Sequence, residues 1–233
     1  EEGPQFRVKT LNIDGDAEVS PDDIQKSIQT KVGEIYNVSQ LRQDILAITD
    51  LYSQKGYAYA DANPISKLND EDRTVELSLE IDKGKKVYVG NIEILGNIKT
   101  RDNVIRREFR LKEGEVFDGS KLKRSKQRIN NLNYFEDVKI DTHRGQDPDL
   151  IDILTSVTER PTGSFTVGIG FSSVENFIFS TAITQDNLFG NGQRLSLNAH
   201  LSSIRTDFSI NFTEPRLFDS EISLGVDLFN EDE

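Results

Sequence analysis

The sequence predicts two tandem α+β units, each ordered β-α-α-β-β, followed by the opening strands of an antiparallel β-barrel that spans a membrane. Three observations carry the prediction. A block of about eighty residues is used twice, at a fixed offset of 81 positions. Both copies carry the same succession of two-residue and 3.6-residue apolar periods. Past residue 161 the helical periods stop and five runs of alternating apolar and polar residues follow. The boundaries read from these changes are 1–82, 83–161 and 162–233.

The offset places Gly3 on Gly84, Val8 on Val89, Leu11 on Ile92, Ile13 on Ile94 and Gly15 on Gly96. It continues through Ile24 and Ile105, Gly33 and Gly114, Tyr36 and Phe117, Leu41 and Leu122, and Ile48 and Ile129. Each copy opens with an alternating strand. A first helix follows, with Ser20 as N-cap hydroxyl and Pro21 at its first position; Thr100, Arg101 and Asp102 are a weaker version. In the second helix Leu41, Ile45, Ile48 and Tyr52 recur at helical spacing, with Ser39 expected as cap and Gly56 as stop. Two strands end the unit, at 57–65 and 75–81 in the first copy and at 134–140 and 151–157 in the second.

The last two strands form a hairpin, so one should lie at a sheet edge. Such an edge offers unpaired backbone donors and acceptors to an extended peptide. The candidate residues are Tyr57 and Tyr59 in the first copy and Tyr134, Phe135, Val138 and Ile140 in the second. The competing reading is a merely solvated edge, blunted by Asp61, Lys67, Glu136 and Lys139.

Beyond residue 161 no lysine occurs. Phe165, Val167, Ile169 and Phe171 alternate with Ser164, Thr166, Gly168 and Gly170, and the same period of two recurs around Ile183, Leu197, Ile210 and Leu228. A strand of about nine residues tilted near 40° rises about 23 Å, close to the apolar band of an outer-membrane barrel. A soluble sandwich is the alternative for strands with one apolar face. Five strands do not close a barrel, so the sequence reads as a fragment, with Glu233 not a natural end and further repeats expected ahead of Glu1.

The net charge of −12 argues against nucleic-acid binding, which needs clustered cations. With no cysteine there is no thiolate nucleophile or thiolate metal site. The two histidines, His143 and His200, lack the spacing of a metal pair or of a base beside a nucleophile, so no catalytic, cofactor or metal residue is expected. Asp147, Asp149 and Asp152 read as a solvated turn rather than a calcium loop.

The repeats resemble polypeptide-transport-associated (POTRA) domains. The passage Val157-Thr158-Glu159-Arg160-Pro161-Thr162-Gly163-Ser164-Phe165, leading to Gly168-Ile169-Gly170-Phe171, resembles the entry into the barrel of the BamA family. Gln185-Asp186-Asn187-Leu188-Phe189-Gly190-Asn191-Gly192 and Ser223-Leu224-Gly225 extend the match. The resemblance implies a non-enzymatic assembly factor for outer-membrane β-barrel proteins, with its repeats in the periplasm and no cofactor. In it, Ser164, Phe165, Thr166, Val167, Gly168, Ile169, Gly170 and Phe171 would form the barrel seam strand that templates insertion. Arg106, Arg110 and Glu113 would bind an outer-membrane lipoprotein. Unfolded outer-membrane proteins, the lipid bilayer and periplasmic chaperones are the other implied partners. TamA-like factors and two-partner secretion pores join similar repeats to a barrel and are the alternative.

Overall fold

In a computed structural model, residues 5–15 and 18–232 are described. The ends named above, Glu1, Gly3 and Glu233, lie outside the described residues. The chain gathers into two compact units, one holding the chain up to Ile92 with residues 110–124 and 142–153, the other residues 93–109, 125–141 and the chain from Leu154 onward.

In the first unit, the first repeat runs β1 (Arg7–Gly15), α1 (Pro21–Ser27), α2 (Val38–Ser53), β2 (Asp61–Asn69) and β3 (Thr74–Asp82). The sheet order is β1-β3-β2, with β1 parallel and β2 antiparallel to β3. Strand β3 is therefore central. Its Val75, Leu77 and Leu79 bury against Val8, Ile24, Ile48 and Tyr52. Ser20 caps α1 by accepting the Asp23 N–H, as its hydroxyl predicts. The cap of α2 is Asn37 rather than Ser39, because the Asn37 side chain reaches the Ser39 and Gln40 N–H groups while Ser39 is already helical. Asp44 on α2 is buried and accepts the N–H groups of Gln29 and Thr30 at 2.7 and 2.9 Å, which fixes the chain leaving α1.

The offset of 81 survives in three dimensions. Val8 N–H donates to Glu34 O and Gly33 N–H to Val8 O; the counterparts are Val89 to Glu115 and Gly114 to Val89. Gly33 and Gly114 both sit at positive φ, 91° and 83°, where the chain reverses along the outer edge of the first strand. The segment occupies that edge at Arg7 and Ile35, and at Tyr88 and Val116 in the second copy. The long edge left open in the first repeat is that of β2. Its Pro64, which has no N–H to offer, suits an edge.

Tyr57 and Tyr59 do not lie on that edge strand. They precede β2, where the turn after α2 brings them to the start of the second repeat. Tyr57 is buried, with Lys83 and Lys86 over its ring at 5.6 and 5.8 Å, and Tyr59 lies under Arg144 at 5.0 Å. Val87 N–H donates to Gly56 O at 2.9 Å, and a methyl on Gly56 would stand 2.7 Å from Val116. The short connection between the repeats is thus packed.

The second repeat runs β4 (Tyr88–Leu95), α3 (Asp102–Arg106), α4 (Gly119–Asn131), β5 (Phe135–Arg144) and β6 (Leu150–Glu159), with sheet order β4-β6-β5. Helix α3 has no side-chain cap, which agrees with the weak start signal; Asp118 serves α4 by accepting from Ser120 and Lys121. In the second unit Val104, Ile105, Ile129, Phe135, Val138 and Val157 form a core.

The same unit holds β7 (Gly163–Ser172), β8 (Asn176–Leu188), β9 (Gln193–Leu201), β10 (Thr206–Glu214) and β11 (Leu224–Asp232), an antiparallel meander in chain order. The five alternating runs are five strands. Strand β8 extends to Leu188, five residues past Ile183, because a register irregularity between Gln185 and Leu188 carries the pairing with β9 onward. Cross-strand pairs put Phe165 opposite Ile183, Ile183 opposite Leu197, Leu197 opposite Ile210 and Ile210 opposite Leu228. One face of the sheet is therefore a continuous apolar band, and Phe165, Ile169 and Phe171 on it are 69 to 80% exposed. The other face carries Thr166, Ser180, Asn198, Ser209 and Asp227. No helix is long and apolar enough to cross a membrane.

Candidate functional site

The β8–β9 turn, residues 189–192, docks on the loop that enters α3. Asn187 is buried, donates Nδ2 to Thr100 Oγ1 at 2.8 Å and accepts the Gly192 N–H on Oδ1 at 2.8 Å. Arg101 N–H donates to Gly190 O at 3.0 Å, and Tyr134 Oη donates to Gly192 O at 3.1 Å. Gly190 has a φ of 74°, and a methyl on it would stand 1.9 Å from Lys99 O. Glycine is required there because two backbones touch. Asn187 tolerates its positive φ of 56°, whereas Phe189 at 53° is an uncommon residue in that region and points a ring that is 80% exposed out of the turn.

The next turn, a 3-10 turn at Leu217–Asp219, makes a second contact. Asp219 accepts from Asn103 Nδ2 at 3.2 Å and from Arg107 at 3.1 Å. Glu108 is buried, takes Arg128 at 2.7 Å on one oxygen and has Arg216 at 3.8 Å from the other. Repeat and strand sheet are joined here by two turns.

The charges are set by these contacts. Hydrogen bonds from Asn103, then Arg107, hold the Asp219 carboxyl below its ordinary range. Burial pushes the Glu159 carboxyl up, but the Thr100 hydroxyl and the N–H groups of Thr100 and Lys99 outweigh it and the net direction is down. Burial, then the charge of Asp186, raises the Tyr134 phenol, so it stays a donor at neutral pH.

A folded-state carboxyl pKa below the unfolded one stabilises the contact above the unfolded value and loses that contribution as pH falls through the folded value. Amide protection at Lys99 and Thr100 is therefore expected to be full above the ordinary Glu159 value of 4.5 and to be lost as pH falls below it through the lowered folded-state value. Glu159→Gln should remove most of that pH dependence; protection factors measured by hydrogen exchange check it.

Of the residues singled out from sequence, Ser164, Phe165, Thr166, Val167, Gly168, Ile169, Gly170 and Phe171 all lie on β7, the first strand of the sheet, whose outer edge has no partner strand among the described residues. Tyr134 precedes β5, and its side chain, with those of Phe135 and Val138, is buried; Ile140 is half-buried. What β5 offers at its edge is backbone, not these side chains. Arg106 ends α3 and pairs with Asp102 at 2.8 Å. Arg110 is exposed, and Glu113 accepts the Ile92 N–H at 3.0 Å. Residues 185–192 enter the sequence reading as part of the family resemblance, and their docking role was missed. The signal was the pair Gly190 and Gly192 around Asn191, denser in glycine than a two-strand connection needs.

The POTRA family, surface antigen variable number repeat, matches residues 6–84 and 87–160, and the Omp85 superfamily domain matches 187–233. The outer membrane protein assembly factor BamA of Neisseria meningitidis serogroup B is 37% identical over 230 residues, 98% of this chain and 29% of that protein. Its namesake in Nitratidesulfovibrio vulgaris is 33% identical over 98% of the chain and 29% of its own length. The chain thus spans under a third of these relatives. The crystal structure of Haemophilus ducreyi BamA lacking POTRA domains 1–3 superimposes with a TM-score of 0.83 at 29% identity, covering 97% of this chain and 43% of that one. Since the two family models match in this order along the chain and the superposition covers nearly all of it, the chain belongs to the BamA family, with two periplasmic POTRA domains leading into strands of an outer-membrane Omp85 barrel.

Proposed function

We propose that this chain is the part of a non-enzymatic insertase at which an unfolded β-barrel client passes from periplasmic repeats to the membrane. The observation that carries the reading is the position of β7: it begins a membrane sheet, has no partner strand on its outer edge among the described residues, and follows the last strand of the second repeat after only Arg160, Pro161 and Thr162. In a bilayer each unpaired backbone group costs several kcal/mol, so a free edge there lowers the cost of bringing in another strand that pairs with it. The open edges of β2 and β5 in the repeats give the same backbone pairing to an extended client before it reaches the membrane. Arg106, Arg110 and Glu113 are the proposed contacts for a lipoprotein subunit, and periplasmic chaperones would deliver the client. The names of the relatives as assembly factors support this reading.

The test uses the full-length protein in liposomes and an unfolded client barrel. Insertion should accelerate at least about tenfold over protein-free vesicles, equivalent to about 1.4 kcal/mol of barrier. Thr166→Cys on β7 should form disulfides with cysteines along the client's terminal strand in one register. Insertion at the protein-free rate, with no disulfide at any register, rules the proposal out.

A further inference from the structure

Ile98 is 91% exposed on a loop that is anything but loose. Ile98 N–H bonds Gly96 O, Asn97 Nδ2 bonds Thr100 O, and Glu159 holds the Lys99 and Thr100 N–H groups at 2.6 to 3.1 Å. Thr100 and Arg101 are in turn tied to Asn187 and Gly190 of the β8–β9 turn. A rigid loop of a periplasmic domain thus projects a large aliphatic side chain, and the turn to which the loop is bonded carries Phe189, itself 80% exposed just past the end of a membrane strand.

The side of the sheet on which this happens can be read from the register. Gln185 lies opposite Gly163 and, by alternation, on the face of Ile183 and Phe165, the apolar band. A cavity of about 560 Å³ is bounded by Gln185, Gly163, Phe189, Lys99 and Arg160, and a second hollow of about 540 Å³ continues past Ile98. The loop therefore stands at the foot of the lipid-facing face, not under the polar one. Two exposed cations, Lys99 and Arg160, border it, the arrangement of an interfacial anchor in which an aliphatic tip enters the headgroup boundary and cations meet phosphate.

We propose that the loop at residues 96–100 anchors the second repeat to the phospholipid surface, with Ile98 entering the interfacial layer next to Phe189 and Lys99 reaching headgroup phosphate. The occupant is the bilayer because the loop continues the apolar band of the strands through the bonded turn. The inference rests on the reading that β7 to β11 lie in the membrane.

The experiment places an environment-sensitive fluorophore on Ile98→Cys in the full-length protein, in liposomes containing brominated phospholipid; residues 1–233 hold no cysteine, and any elsewhere would be replaced. An exposed position tolerates the change. Ile169→Cys on the apolar face and Lys67→Cys on exposed β2 are the references. The expected result is quenching at position 98 of at least half that at 169, a blue-shifted emission, and none at 67. Quenching at 169 with position 98 as open to aqueous iodide as 67 overturns the anchor alone. Shielding from iodide without lipid quenching means a protein covers the loop, and overturns it too. No lipid quenching at 169 sinks the membrane reading of the strands themselves.

Discussion

Replacing Gly190 with alanine is expected to undo the junction between repeat and sheet. The methyl would stand 1.9 Å from the Lys99 carbonyl oxygen, against backbone that cannot swing aside, at a φ of 74° that L residues resist. Left-handed strain and overpacking each cost about 1–3 kcal/mol, so a loss of about 2–6 kcal/mol from the docked turn follows. Protection of the Thr100 and Arg101 amides should drop accordingly, because Arg101 N–H loses its acceptor on Gly190. Gly33 is the control, with a φ of 91° and nothing within 4 Å of an added methyl. Gly33→Ala should cost only the strain, about 1–3 kcal/mol, and leave Thr100 and Arg101 protected. Equal protection at these two amides in both variants would show that the close approach does not hold the turn.

Glu108→Ala is expected to be strongly destabilising. Its side chain is 7% exposed and sits between Arg128, bonded through Nε at 2.8 Å and a terminal nitrogen at 2.7 Å, and Arg216 at 3.8 Å. Removing it leaves two partly buried guanidinium groups facing each other. Breaking a fully buried pair costs about 3–5 kcal/mol; with both arginines some 22–24% exposed, water recovers part, and about 2–4 kcal/mol remains. Arg216→Ala should cost under about 1 kcal/mol, since its contact is long and its second partner, Glu221, is 88% exposed. A double-mutant cycle over Glu108 and Arg128, followed by denaturant unfolding, measures the pair. A coupling indistinguishable from zero would mean that Glu108 is held by shape rather than charge.

Both variants act at a place whose long-range partners the sequence does not name. Asn187 and Thr100 are 87 positions apart, and Arg107 and Asp219 are 112. No periodicity spans such distances, and a turn rich in asparagine and glycine reads the same whether it is solvated or docked. The N-cap of α2 moved from Ser39 to Asn37 for a related reason: two capping residues stand two positions apart, and only the path of the chain entering the helix decides which one is free to turn back.

The edge residues make the sharpest contrast. The sequence places hairpin strands near 57–65 and 134–140, and β2 and β5 are edge strands. It does not say that β1 joins the far side of β3 in parallel, which makes β3 central and gives the edge to β2, nor that residues 33–36 cover the outer edge of β1. Tyr57 and Tyr134 looked like strand residues because aromatics favour strands, yet both are drawn inward. Tyr57 is in the core beneath two lysines, and Tyr134 is bonded to Gly192.

By itself, then, the amino-acid order determined the repeat, the β-α-α-β-β succession, the number of membrane strands and which of their faces is apolar, because each is a local period of burial written along the chain. Tertiary structure alone decided which strand edges stay open, which aromatic rings turn inward and which turn docks on which loop. Those outcomes depend on contacts between segments 26 to 112 residues apart, where the energy of an interaction is settled by packing and by the pairing of buried backbone groups rather than by any pattern of neighbours.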